Sequence, residues 1–458
     1  MITLPQCHDN IKDYVTDLSN FISTPLVRQI TGGIHVNDAL IYKAWEALPP
    51  EWTDWWLTLP DHRLAQQDLI TNIEEIDESR CNGSNSVAQA AQNRPPSLTQ
   101  WLQTLSSLAL PRLQRSGPKI SLPDVLLSRM KTKKTAEISK AVAHIHDVCQ
   151  RKGITRIVDM GSGQGYLSIS LAYLFPSLEV LSIDGSESQV TGAKAFVASL
   201  GIPETRVKHL VRWIDGSPAL SEEITVWAEG DQCMLVGLHA CGNLSEHMLR
   251  YFTTTPCITE LAVVGCCYNH IIPRSADCPE GFPISNALQE KTVTLSATAL
   301  MTGCQAPYNW AKPDLESGTA EQSPFAKRRL YRAILEKLFY DKGIKLDTDE
   351  RPAWGIRKGD MANFTSFARR AMDYLGVNAD SISDSELEAY DTRYRDFESQ
   401  IAILWTLSVL CCKVVESVVA LDRYLFLTEQ GARNIDVVPI FDIKVSPRNL
   451  MITASKAD

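Results

Sequence analysis

The chain has 458 residues, 44% of them apolar and 22% charged, more than one core of ordinary size organises, so two or three packed units are expected. Its formal net charge of -9 argues against indiscriminate binding to nucleic acid, which needs broad cationic surfaces, while leaving room for local basic patches. No run of about 18 uncharged apolar residues marks a membrane span, and 12 cysteines spread thinly along so long a chain do not make the disulfide framework of a small secreted domain. The opening MITLPQCHDNIKDYV lacks the features of a secretory or transit signal, so the expected residence is cytoplasmic or nuclear, without membrane association.

In chain order, residues 1–124 read as a helical accessory domain. Its aromatic stretch Glu51-Trp-Thr-Asp-Trp-Trp56 is expected in the core, and a polar insertion is expected around Asn82-Gly-Ser-Asn-Ser86. Residues 125–270 alternate regularly. A helix over 135–150 precedes strands at Thr155–Asp159, Leu178–Asp184, Arg206–Trp213, Cys233–Leu238 and Glu260–Gly265, with helices at 164–175 and 186–200. Strands and helices at this spacing predict an α/β fold, a doubly wound parallel sheet covered on both faces. Residues 271–400 read as a loop-rich and helical insertion, with a polar run at Lys312-Pro-Asp-Leu-Glu-Ser-Gly-Thr319. Residues 401–458 follow as a helix over 401–420 and two closing strands, Arg423–Thr428 and Val437–Lys444.

The segment Ile157-Val-Asp-Met-Gly-Ser-Gly-Gln-Gly-Tyr166 runs an apolar strand into three alternate glycines and then into a helical pattern. Gly161, Gly163 and Gly165 let the backbone turn tightly and approach a nucleotide-like ligand at a helix N-terminus. No Gly-Lys-Ser/Thr follows, which excludes a Walker loop, and GxGxG with Asp159 two residues ahead departs from the dinucleotide pattern GxGxxG. Asp184 ends the next strand, where a carboxylate can accept hydrogen bonds from both ribose hydroxyls. The arrangement resembles motif I of class I S-adenosylmethionine methyltransferases, which implies S-adenosyl-L-methionine as cofactor, with NAD binding and an unliganded glycine-rich turn as the alternatives.

The fourth strand delivers Leu238 and His239 to the carboxyl edge of the sheet. There His239 is either a general base or, the favoured reading, a wall of the cofactor pocket. The fifth strand ends in Cys266-Cys-Tyr-Asn-His270, so Tyr268 and His270 join His239 as candidate catalytic residues facing the same crevice. A zinc site using His239, Cys241, Cys266 and His270 is conceivable, but CxxC spacing is missing and adjacent cysteines are poorly disposed to share one ion, so no metal is expected. Two basic clusters, Lys131, Lys133 and Lys134, then Lys327, Arg328 and Arg329, are candidate RNA contacts on an otherwise acidic chain.

The set Met130-Lys-Thr-Lys-Lys-Thr135, Asp159-Met-Gly-Ser-Gly-Gln-Gly165, Gly237-Leu-His-Ala-Cys-Gly-Asn-Leu244, Val264-Gly-Cys-Cys-Tyr-Asn-His270, Arg328-Arg-Leu-Tyr-Arg332 and Ser446-Pro-Arg-Asn449 is similar to the methyltransferase-like protein 25 family, which includes proteins labelled ribosomal RNA adenine dimethylase domain-containing. The resemblance covers roughly 125–455. It implies a class I methyltransferase Rossmann-like sheet whose last two strands come after a helical insertion, binding S-adenosylmethionine over the glycines with its methionine end near Asp159 and its ribose on Asp184. His-Ala-Cys-Gly and Cys-Cys-Tyr also resemble the paired motifs of a tRNA 2'-O-methyltransferase family. The implied activity is methylation of RNA (rRNA or tRNA), with a protein methyltransferase or a catalytically inactive binding module as alternatives. His-Ala-Cys-Gly stands where enzymes that methylate adenine amines carry Asn/Asp-Pro-Pro-aromatic, so that reaction is not carried over.

Overall fold

The computed structural model describes residues 2–33, 36–59, 65, 66, 68, 69, 93–306, 324–345 and 358–456. The expected polar runs at 82–86 and 312–319 lie outside the described residues. The chain forms two compact units, one from 1–23, 107–305 and 412–458, the other from 24–106 and 306–411.

The first unit is built on seven strands, β1 Arg156–Met160, β2 Glu179–Asp184, β3 Val207–Val211, β4 Cys233–Cys241, β5 Ile258–Cys266, β6 Arg433–Pro439 and β7 Leu450–Ser455. Their order is β3-β2-β1-β4-β5-β7-β6. β1 to β5 pair in parallel, and β7 runs antiparallel between β5 and β6. The parallel strands carry helices on both faces, so β1, β2 and β4 read as continuous apolar runs. Winding reverses between β1 and β4, and at such a switch point the loops leaving the carboxyl ends diverge and open a crevice.

The closing strands depart from expectation. Arg423–Thr428 is not a strand but the last part of the helix Cys412–Glu429. Val414, Val415, Val418, Val419 and Leu421 are all buried there, and a helix covered on all sides shows no 3.6-residue stripe, while its β-branched residues mimic a strand. The strand expected at Val437–Lys444 ends at Pro439, and residues 440–449 form a loop. The true last strand, β7, lies beyond that loop. One stretch within 384–429 is apolar enough to cross a membrane, with mean hydropathy 1.9 over its best window, but 78% of that window is buried inside the protein.

The units do not follow the boundaries expected from composition. The helix Ile11–Ile22 packs on the helix Cys412–Glu429, and the Tyr14 hydroxyl donates to the Leu108 carbonyl at 2.9 Å, which ties the N-terminus and residues 107–124 into the sheet unit. The rest of the N-terminal segment shares a core with the insertion: Ala39 and Ala44 pack with Leu330 to Phe339, Phe364, Phe367 and Ile401. Trp52, Trp55 and Trp56 of the second unit are core, 1%, 8% and 4% exposed.

Beneath the crevice the sheet unit buries a carboxyl without a full set of partners. Glu246, on the helix Leu244–Thr254, is 3% exposed and its Oε1 lacks a hydrogen bond. Burial pushes its carboxyl up to about 7, against the opposing charge of Arg423 and with the like charge of Asp422. The folded state therefore holds a proton that the unfolded chain releases. The resulting stabilisation is complete below the ordinary value near 4.5 and disappears as pH rises through about 7. Glu246→Gln is expected to raise stability at pH 8 by about 2 kcal/mol and to change it little near pH 5, read from urea midpoints at the two pH values.

Candidate active site

The glycine loop hangs from β2. The amides of Gly161 and Ser162 both donate to the Ile183 carbonyl, at 2.9 and 3.1 Å. Gly161, Gly163 and Gly165 all have positive φ, 72°, 55° and 73°. At Gly161 a Cβ would also lie 2.7 Å from Leu244 Cδ2, so a side chain there would be strained by the backbone angle and would push that leucine end aside. Gly165 then caps the helix Tyr166–Leu174.

The two acids play different parts. Asp184, half-buried at the end of β2, accepts from the Gly163 amide at 2.9 Å through Oδ2 and from the Ser186 amide at 2.8 Å through Oδ1. Each carboxylate oxygen carries two acceptor sites, so capacity remains for a pair of hydroxyls arriving from the crevice. Asp159 is 1% exposed and lies under the loop, where Ser168 donates to its Oδ2 at 2.5 Å. Burial pushes its carboxyl up to about 6. Its visible role is to tie β1 to the helix Tyr166–Leu174 from beneath the glycine loop.

Trp213, at the end of the strand expected over Arg206–Trp213, stands beyond the end of β3 and is 77% exposed. A Cβ on Gly185 would lie 2.8 Å from its ring, so the indole leans on the residue that follows Asp184. An aromatic face beside the ribose-binding acid is a platform for a purine.

On the other side of the switch point, β4 is irregular between Leu238 and Ala240, and His239 takes a left-handed conformation at φ 63°. That turn takes its ring out of the strand ladder towards the helix Thr132–Lys152, where Nε2 lies 2.9 Å from Glu137 Oε2. Glu137 is 1% exposed, its Oε1 accepts from the Ser446 hydroxyl at 2.8 Å, and Lys134 and Lys133 stand 3.2 and 3.8 Å away. Burial alone raises such a carboxyl. The hydrogen bond and charge of His239, with Lys134 and Ser446, overcome it and hold Glu137 down to about 2. An ionised Glu137 can only accept, so the Nε2–H of His239 is the donor, and in the neutral imidazole Nδ1 is then the acceptor nitrogen.

Other expected members are placed elsewhere. Tyr268 does not face the crevice. It is 3% exposed, its hydroxyl donates to Glu416 Oε1 at 2.7 Å, and burial holds it well above the usual tyrosine range. Arg448 and Arg112 pair with the same Glu416 at 3.2 and 2.7 Å, so Tyr268 belongs to a buried polar network between β5 and the helix Cys412–Glu429. Leu238 is half-buried with its side chain on the main core cluster. His270 is exposed, its backbone against Gly242.

Lys131 and Lys133 are exposed, whereas Lys134 turns to Glu137. Lys327, Arg328 and Arg329 belong to the second unit, where Arg329 stacks on Trp405 at 3.2 Å and Lys327 lies 5.5 Å from the Tyr331 ring. Glu137 and Trp213 carry no motif in the sequence, and Ser446 stands out there only as part of the resemblance, without a role at the site. Glu137 lies 102 residues from His239, among lysines that disguise it as part of a cationic helix start.

The strand order, the three-glycine turn and the acid ending β2 define a class I methyltransferase domain, and a family model described as a methyltransferase domain matches residues 131–274. Its cofactor is S-adenosylmethionine, and the residues present fit it: a loop whose three glycines take left-handed angles, spare acceptors on Asp184 and an exposed indole beside it. Over 244 residues the chain is 27% identical to "Probable methyltransferase-like protein 25" of Homo sapiens, covering 49% of this chain and 37% of that one. The Mus musculus relative gives 27% over 244 residues, 49% of this chain and 38% of that one. The chain thus matches well under two thirds of the length of these relatives.

Among solved structures it is similar to coclaurine N-methyltransferase bound to N-methylheliamine and SAH, with TM-score 0.24, 11% identity, 97% of this chain and 98% of that chain covered. It is also similar to a SAM-dependent methyltransferase from Geobacter sulfurreducens in complex with S-adenosyl-L-homocysteine, with TM-score 0.22, 18% identity, 31% of this chain and 55% of that chain covered.

Proposed function

We propose that the sheet unit transfers a methyl group to a hydroxyl of RNA. The observation that carries this reading is the Glu137–His239 pair, which holds a basic nitrogen at the same sheet edge as the glycine loop and Asp184. Bound S-adenosylmethionine supplies a methyl group already activated on a sulfonium sulfur. The protein's task is then to orient the acceptor in line and remove its proton. Asp184 holds the ribose, Trp213 covers the adenine, and the loop at 161–165 admits the chain of the cofactor against its backbone. His239 Nδ1 takes the hydroxyl proton while Nε2–H stays on Glu137, which stabilises the imidazolium that forms. An acceptor that must lose a proton has a use for such a pair; a neutral amine does not.

The exposed Lys131, at the start of the helix that carries Glu137, and Lys133 in its first turn support a phosphate-bearing acceptor. The net charge of -9 favours the second reading, a cationic protein acceptor. The test is incubation of the full chain with S-adenosylmethionine labelled in its methyl group and total cellular RNA. Label that survives protease and is released by ribonuclease is the expected result, and label lost to protease selects the protein reading. His239→Asn is expected to lower turnover about 100-fold while leaving cofactor binding unchanged. An unchanged turnover removes His239 from the chemistry.

A further inference from the structure

A cluster of three thiols lies at the same edge of the sheet and has no part in the chemistry above. Cys241 and Cys266 end the neighbouring strands β4 and β5 and are register partners there, with their sulfurs 3.2 Å apart. Cys267 follows in the left-handed conformation, φ 47° and ψ 52°. That turn folds its side chain back beside its neighbour, and the Cys266 and Cys267 sulfurs stand 3.5 Å apart. All three sulfurs lie within 4.8 Å of one another. Adjacent cysteines in an extended strand point to opposite faces; the left-handed residue removes that objection to a shared ion.

We propose that Cys241, Cys266 and Cys267 form a three-thiolate site for a thiophilic divalent cation, zinc first. Sulfurs around a tetrahedral zinc, each at about 2.3 Å, stand about 3.8 Å apart, so the triangle needs only small side-chain rotations to close on an ion. The site has a floor and an entrance: Cys266 is 4% exposed, Cys267 is half-buried and Cys241 is exposed. Cys304, the next thiol, is engaged by Asn269, whose amide donates to its sulfur at 3.4 Å, and it stands outside the group of three. Three protein ligands leave the fourth position to water or to an incoming group, the arrangement of catalytic rather than structural zinc sites. Binding releases the thiol protons to solvent, since the thiolate is the ligand. Three sulfurs placed in this way would bind a metal ion whether or not the crevice transfers a methyl group.

The test uses the full reduced chain, loaded with zinc or cobalt, passed through a desalting column and assayed for metal by mass spectrometry and absorption. About one equivalent of zinc is expected, and the cobalt form is expected to show an intense near-ultraviolet thiolate-to-metal band with the visible bands of a tetrahedral site. Cys241→Ser and Cys267→Ser, each checked for folding by circular dichroism, are expected to weaken metal binding at least about tenfold. Cys257→Ser, at the opposite end of β5, is expected to leave it unchanged. Reduced, folded protein that retains no metal overturns the proposal, as does bound metal indifferent to both substitutions. A Cys241–Cys266 disulfide in the isolated protein, with no metal uptake after reduction, overturns it equally.

Discussion

Asp184→Ala is expected to weaken S-adenosylmethionine binding about 100-fold, measured by equilibrium dialysis with labelled cofactor. The wild-type carboxylate accepts from the Gly163 and Ser186 amides and keeps acceptor sites for ribose. Two hydrogen bonds to a charged acceptor are worth about 3 kcal/mol in all, and each 1.4 kcal/mol is tenfold in affinity. Asp184→Asn keeps one acceptor oxygen and is expected to fall between the two. If alanine binds as well as the wild type, the ribose does not sit on Asp184, and the orientation assigned to the crevice is wrong.

The second large effect is on stability. Glu137 is a buried charge that His239, Ser446 and two lysines together keep ionised. Glu137→Gln keeps the shape but removes the charge these groups converge on, and it is expected to cost about 2 kcal/mol at pH 7. The pH dependence has a definite sign. With the carboxyl near 2 in the folded state and 4.5 ordinarily, the folded chain binds fewer protons than the unfolded one. The stabilisation is therefore complete above the ordinary value and lost as pH falls towards the folded one. The difference between wild type and variant in chemical denaturation should narrow between pH 7 and about pH 3. A difference that stays constant, or widens in acid, means Glu137 is neutral in the folded protein and cannot fix the His239 tautomer.

The parallel half of the sheet was legible because its signals are local. β1 and β2 each end in a short motif, glycines after Asp159 and the acid Asp184, and the crossovers between them are short enough to read one at a time. The closing half was not. The helix Cys412–Glu429 is buried along most of its length, which erases the periodicity that distinguishes a helix from a strand, and β7 follows a loop whose apolar residues Ile440, Phe441 and Val445 imitate a strand.

At the site the same division holds. Gly161, Gly163, Gly165 and Asp184 lie where the spacing put them. Tyr268, two residues beyond β5, was assigned to the crevice by proximity, yet its ring is drawn inward by Glu416, which sits 148 residues away. The partner that gives His239 its tautomer, Glu137, and the third thiol of the cysteine cluster, turned by the left-handed Cys267, both depend on long-range packing or a single backbone angle. Neither leaves a pattern in sequence spacing.

Calorimetric titration of the wild-type chain with S-adenosylmethionine and, separately, S-adenosylhomocysteine tests the crevice most directly. Saturable binding of both at a single site is the predicted result, since the loop, Asp184 and Trp213 recognise the adenosine that the two share. A folded sample that binds neither contradicts it.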